Sequence, residues 1–311
     1  MRRAIVAVIA LLLILVRTAA AAVEPLRLQD VLAAAETVAT DGPRRDAILA
    51  ASALQPYAYW SHLRLELLAP ADAVRINAMA RFFDALLRDL AYAALDEKMS
   101  VAYGTFQRIA APEPATSAPR QAAEPLAKLE AEVRYLDLLA RRNSMRSEQR
   151  LARSMLAQSM GQPDRLAAEL SEPNLNPGND ALADIGVLQK SLRSAIQARR
   201  TTQAPQQVVN HSLAATQLDA EQELLRAYLT VETLRGAQRN LVNKRTELAD
   251  RRFDAERDRF ERNQTSDFNN AMTATVDAKH EQRIWLYQLT LAQARLGALV
   301  GQTLGVAETS R

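Results

Sequence analysis

Residues 267–301 read DFNNAMTATVDAKHEQRIWLYQLTLAQARLGALVG, without a proline and without a glycine before Gly297. Ser266 and Asp267 stand at the front of this stretch as N-cap residues. Gly301 stands where a helix C-cap belongs. At about 1.5 Å per residue, the stretch predicts a rod of roughly 50 Å, long for a helix of a globular domain. A coiled-coil or tubular arrangement is the natural setting for such a rod.

The end of the rod has an echo earlier in the chain. LAQARLGALVGQ (Leu291 to Gln302) and LARSMLAQSMGQ (Leu151 to Gln162) share Leu, Ala, Leu, Gly and Gln in register. Leu86-Leu87-Arg88 is echoed by Leu224-Leu225-Arg226. PRRDAILAASALQ (Pro43 to Gln55) is echoed by PGNDALADIGVLQ (Pro177 to Gln189). Three echoes in the same order, with slowly drifting offsets, predict a duplicated unit.

The chain opens with Arg2 and Arg3, runs from Ala4 to Val16 without a polar residue, and reaches Arg17 and a small-residue zone ending near Ala22. That pattern predicts a secretory signal peptide, since the apolar run is too short to span a bilayer comfortably. An uncleaved anchor is the alternative. The 39 basic residues exceed the 36 acidic ones by three, and Arg2, Arg3 and Arg17 account for that excess. The rest of the chain is charge-balanced, which removes the electrostatic argument for a nucleic-acid partner. Without a cysteine, disulfides, thiol catalysis, thiolate metal sites and a lipid on an N-terminal cysteine are all excluded.

In order, helices are predicted over Leu26–Ala39, Arg44–Gln55, Ala71–Ile109, Glu124–Met160, Asp180–Arg200, Leu213–Phe260 and the final rod. The breaks fall at Asp41-Gly42-Pro43, Pro56, the Pro/Ala-rich stretch Ala111–Ala123, Gly161-Gln162-Pro163, and Thr201–Asn210. Gly236 is the strongest breaker inside Leu213–Phe260. Between Tyr57 and Leu68, Leu63, Leu65 and Leu67 alternate with polar residues, which fits either a strand or a helix entry. Leu234, Leu241, Leu248 and Ala255 recur every seven residues, the stripe of helices packed side by side. The opposite face is dense in Arg, Glu and Asp. The fold class is therefore all-α, with long antiparallel helices in two similar units.

The last rod resembles the closing helix of the TolC family of outer-membrane efflux proteins. That family places Asp-Val-Leu-Asp-Ala ahead of Ala-Lys-Gln-Glu and a terminal Gly. Here the same places hold Asp267-Phe268-Asn269-Asn270-Ala271, Ala278-Lys279-His280-Glu281 and Gly301. LRLQDVLAAAE (Leu26 to Glu36) resembles the family's leading segment, and Asn176-Pro177 resembles the Asn-Pro that opens its unit. The resemblance divides the chain into a signal peptide (1–22), a first repeat (23–175), a second repeat (176–302) and a tail (303–311).

The resemblance implies a homotrimer whose long helices form a tunnel through the periplasm. Its partners would be a periplasmic adaptor, an inner-membrane transporter and the outer membrane. It also implies two β-hairpins, at Pro56–Ala73 and Thr201–Leu213. Neither gap has room for two membrane strands of about 9–11 residues, so a reduced or missing barrel is expected. The family carries two acids at the tunnel mouth. Asp267 keeps the first, and Asn270 replaces the second, so the candidate channel entrance has one ring of carboxylates. Asn263 stands where the family turn carries a glycine. No cofactor or metal is implied.

Other chemistry is sparse. His62, His211 and His280 are scattered, and His280-Glu281 lacks a second histidine four residues on, so a zinc-protease pattern is excluded. His280 reads as a surface residue. Tyr57, Tyr59 and Trp60 fit either an aromatic belt at a membrane or packing beneath a helix bend. The sequence thus predicts a non-enzymatic export conduit. The alternative is a periplasmic helical scaffold without channel activity.

Overall fold

The computed structural model describes residues 24–60, 63–110, 125–163, 169–176, 182–202, 210–262, 264 and 267–302, with backbone alone at 200–202 and 210–216. The expected signal peptide, the Pro/Ala-rich break, His62, Asn263, Ser266 and the tail from 303 lie outside the described residues.

The fold is all-α. α1 (Leu28–Thr40) and α2 (Gly42–Leu54) are short. α3 (Pro70–Ala110) and α4 (Pro125–Ser159) form the first long antiparallel pair. α5 (Ile185–Thr202) leads into α6 (Asn210–Thr233), which passes through a π-helical turn at Leu234–Gln238 into α7 (Arg239–Glu261). α8 (Phe268–Leu299) returns antiparallel to α7. Among the described residues there is no strand. An isolated parallel bridge joins Leu26 to Leu170, where Leu26 N–H donates to Glu169 O (2.8 Å) and Ser171 N–H donates to Leu26 O (2.9 Å).

Helical periodicity builds the core. α1 buries Leu28, Val31, Ala35 and Val38, a 3-4-3 spacing that puts one face on α3. The first half of α3 is buried all round, from Ala73 and Val74 through Phe82 and Phe83 to Leu87. A helix that is apolar on every side belongs inside a core. α3 is accordingly the hub, touching α1, α2, α4 and α8. Each fully buried Phe, Ile or Leu there contributes about 1.5–3 kcal/mol of transfer free energy. Further along, the α3–α4 pair is held by Asp89–Arg153 (2.7 Å), Asp96–Arg142 (2.5 Å) and Arg88–Glu148.

The two echoed segments end alike. Gly161 and Gly301 have φ of 68° and 75°, the left-handed conformation that glycine adopts at low cost. Gln162 N–H donates to Ala157 O (2.8 Å) and Gln302 N–H to Gly297 O (2.9 Å), five residues back in each case. At Gly161 a Cβ would lie 2.8 Å from the Arg44 guanidinium, a flexible group that can move aside, so φ is what favours glycine.

Two expectations are corrected. Residues 57–60 and 63–68 form no strand: a strap lies on α3, and a 3-10 turn follows at Leu65–Leu67. Arg64 takes φ 45°, ψ 50° there, and the buried leucines are Leu63, Leu67 and Leu68, a one-turn spacing and not an alternation. The first expected hairpin site, Pro56–Ala73, is occupied by this strap, the turn and the start of α3. In the second, Thr201–Leu213, residues 203–209 lie outside the description, while its ends belong to α5 and α6. Finally, Leu213–Phe260 is broken at Gly236, whose φ −87°, ψ −110° is non-helical.

Candidate functional site

The π turn decides which face of α7 meets the rest of the chain. An inserted residue rotates everything after it by about 100° relative to an unbroken helix. Leu234 is buried before the turn. The in-phase positions beyond it become Val242 and Ala249, one later than the sevenfold series. Ala249 is buried, and its carbonyl accepts from Thr275 Oγ1 at 3.2 Å. Leu241 and Leu248 are turned out and are 50% and 53% exposed. The expected stripe of Leu234, Leu241, Leu248 and Ala255 is therefore split: its first member is core, and the other three are uncovered.

A second uncovered stripe runs along α4. Leu126, Leu129, Val133 and Leu136 are each at least half exposed, and their 3-4-3 spacing aligns them on one face. α6 carries a third set, Leu218, Leu225 and Leu229, above the π turn. Isolated exposed leucines are ordinary, but aligned rows of them mark interaction surfaces.

The tip of the α7–α8 hairpin holds both predicted entrance residues. Phe253, Phe260 and Phe268 close it, with ring centroids 5.3 Å and 5.4 Å from Phe268. Asp267 is the N-cap residue of α8, but its carboxylate accepts no bond from the helix backbone. It accepts from the Asn270 side-chain amide at 2.6 Å instead. The Asp267 N–H donates to Glu256 Oε2 at 2.7 Å, tying the tip to α7. Both Asp267 and Asn270 are exposed.

The aromatic strap is packing, not a membrane belt. Tyr57 Oη donates to Asn77 Oδ1 (2.8 Å), and Trp60 Nε1 donates to Ala80 O (3.1 Å). Ala58 N–H donates to Asp84 Oδ1 (3.1 Å). Arg81, 1% exposed, donates to the carbonyls of Gln55 (2.8 Å) and Pro56 (3.3 Å) and lies over the Tyr57 ring at 4.0 Å. Burial pushes the Tyr57 phenol up to about 12 and raises the Asp84 carboxyl above its usual range. The sequence reading missed Arg81 and Asp84. Two charged residues inside an otherwise apolar run of α3 were the available signal.

His280 is not on the surface. It sits half-buried in the seam of α8 and α3, edge-on to Tyr59 at 6.2 Å, with Nε2 buried and without a hydrogen-bond partner among the described residues. Burial pushes the imidazole below its ordinary value. His211 belongs to α6, where backbone alone is described. Among the described residues no cluster of His, Cys, Asp and Glu suits a metal ion, and no helix is long and apolar enough to cross a membrane. The chain matches no protein-family model, and no curated protein matches it.

Proposed function

We propose that this chain is a TolC-like export component, a homotrimer whose long helices enclose a conduit. An adaptor and an inner-membrane transporter would serve it at the hairpin tips. The observation that carries this reading is the pair of uncovered stripes on two different helices, α4 and α7. Two unlike apolar faces on one chain suit a head-to-tail contact, which closes into a ring when the rotation permits. In such a ring the α4 stripe of one copy covers the α7 stripe of the next. Asp267, exposed at a hairpin tip, would then appear three times at the mouth and favour cations within about 8–10 Å at physiological salt.

Ion selectivity of the purified protein in a planar bilayer tests the mouth. Asp267→Asn is expected to lower cation preference while leaving the fold intact, because Asn is as good an N-cap residue. Unchanged selectivity in that variant would remove Asp267 from the entrance.

One observation favours the second reading, a periplasmic helical scaffold without channel activity. The first hairpin site is filled by the Tyr57–Trp60 strap, which is hydrogen-bonded to α3. A folded, fully helical protein that forms no conductance in bilayers would select the scaffold.

A further inference from the structure

A cavity of about 470 Å³ lies where the two halves of the chain meet. Tyr59, Trp60 and Leu63 of the first half form one wall. α6, the π turn and α8 form the others, with Leu229, Leu234 and Leu291 among the lining residues. The volume falls within the range of about 300–1,000 Å³ typical of small-molecule sites. π turns are rare and frequently mark functional sites, and this one contributes Leu234 and Gln238 to the wall.

The charge of the lining is one-sided. Arg226 and Arg295 line the cavity, and no carboxylate does. Glu223, 1% exposed, lies behind them. It pairs with Arg295 Nη2 at 2.5 Å and with Arg226 Nη1 at 2.7 Å. One carboxylate between two guanidiniums leaves positive charge in excess. Arg64, the next cation, has its own acids in Glu66 and Asp219, both more than half exposed and screened by water. The Arg295 side chain is 11% exposed, and its Nε is buried without a hydrogen-bond partner among the described residues. The Arg226 side chain, paired with Glu223 on one side and 65% exposed, is the guanidinium of the two that an incoming anion can reach.

We propose that this cavity binds an amphipathic organic anion. Its alkyl or aryl body would lie against Trp60, Leu63, Leu229 and Leu291, and its carboxylate or sulfonate would lie on the exposed side of the Arg226 guanidinium, in front of the Glu223–Arg295 pair. The proposal does not rest on the conduit reading and holds for a scaffold as well.

The test uses 11-bromoundecanoate, added to the purified full chain below its micelle concentration so that single molecules and not a lipid surface are probed. Bromine quenches indole fluorescence on contact, and Trp60 is in the wall. Saturable quenching is expected, with the neutral 11-bromoundecanol binding at least about tenfold more weakly. Arg226→Gln is expected to weaken the acid about tenfold and leave the alcohol unchanged. Thr230→Phe, at an exposed lining position, should weaken both by filling the space. Helix content by circular dichroism shows that each variant is folded. Equal affinity for acid and alcohol, indifference to Arg226→Gln, or quenching confined to concentrations above the micelle threshold would overturn the proposal.

Discussion

The indole of Trp285 donates its N–H to the backbone carbonyl of Leu234 at 2.8 Å. Leu234 opens the π turn, where the regular ladder of helical hydrogen bonds is interrupted. Trp285 on α8 satisfies a carbonyl there, and so fixes the place where the register of α7 shifts. The same shift buries Ala249 and turns Leu241 and Leu248 outward. One side-chain hydrogen bond therefore sits at the switch between a face used within the chain and a face left exposed.

Trp285→Phe keeps most of the packing and removes the donor. A carbonyl left unsatisfied in this setting costs about 1–3 kcal/mol. Urea denaturation should show that loss without a change in the denaturant slope. A variant as stable as the parent would mean that the bond contributes nothing to the turn.

Gly236→Ala raises helix propensity at the turn without removing a residue, so it should favour an unbroken helix and bring Leu241 and Leu248 into the seam now held by Val242 and Ala249. A leucine where Ala249 packs on Thr275 overfills the seam, at about 1–3 kcal/mol. The expected outcome is a lower denaturation midpoint together with weaker self-association. An unchanged midpoint would show that the turn does not set the register.

The register shift marks the limit of what the sequence discloses. Long helices were legible because Leu28, Val31, Ala35 and Val38 keep helical spacing, and because Pro56, Gly161 and Gly301 punctuate them. Gly236 was visible as a weak breaker, but glycine is compatible with a straight helix, a kink or a π turn. The sevenfold series through Leu241 was real as a pattern, yet its covering surface depended on one inserted residue. Alternation at Leu63, Leu65 and Leu67 misled because three residues of a tight turn mimic a strand. Arg81 and Asp84 were missed because the strap that they hold is brought to them only by the fold. Asp267 and Asn270 lie together on the exposed tip, with a side-chain bond between them in place of a backbone cap.

Arg81→Leu removes both donors to Gln55 and Pro56, together with one of the two cations, Arg88 and Arg81, that act on Asp84. Breaking such a buried network costs about 3–5 kcal/mol. Limited proteolysis should then cut within 55–60, where the parent resists. Resistance equal to that of the parent would contradict the role of Arg81 as the clasp of the strap.

His280 gives stability a pH dependence. Its imidazole is surrounded by the Leu87 carbonyl, Asp277, Lys98 and Glu281, and burial outweighs the acids in holding its pKa down. Above about pH 6.5 the folded and unfolded states are both neutral, and the fold keeps its full stability. As pH falls through that value the unfolded chain takes up the proton first, so stability declines and levels off below the folded pKa. Denaturation midpoints between pH 7.5 and 5 should fall for the parent and fall less for His280→Gln. Identical slopes would place the titration elsewhere.

The central claim is that Leu241 and Leu248 on α7, and Leu126, Leu129, Val133 and Leu136 on α4, meet between copies of the chain. Analytical ultracentrifugation of residues 23–311, alongside Leu241→Asp and Leu129→Asp, tests it most directly. The parent should sediment at three times the chain mass. Each variant should shift toward monomer with its helix content preserved, since both positions are exposed in the single chain and a charge is costly only where a partner buries it. A parent that stays monomeric at every concentration, or variants that assemble as the parent does, would contradict the account.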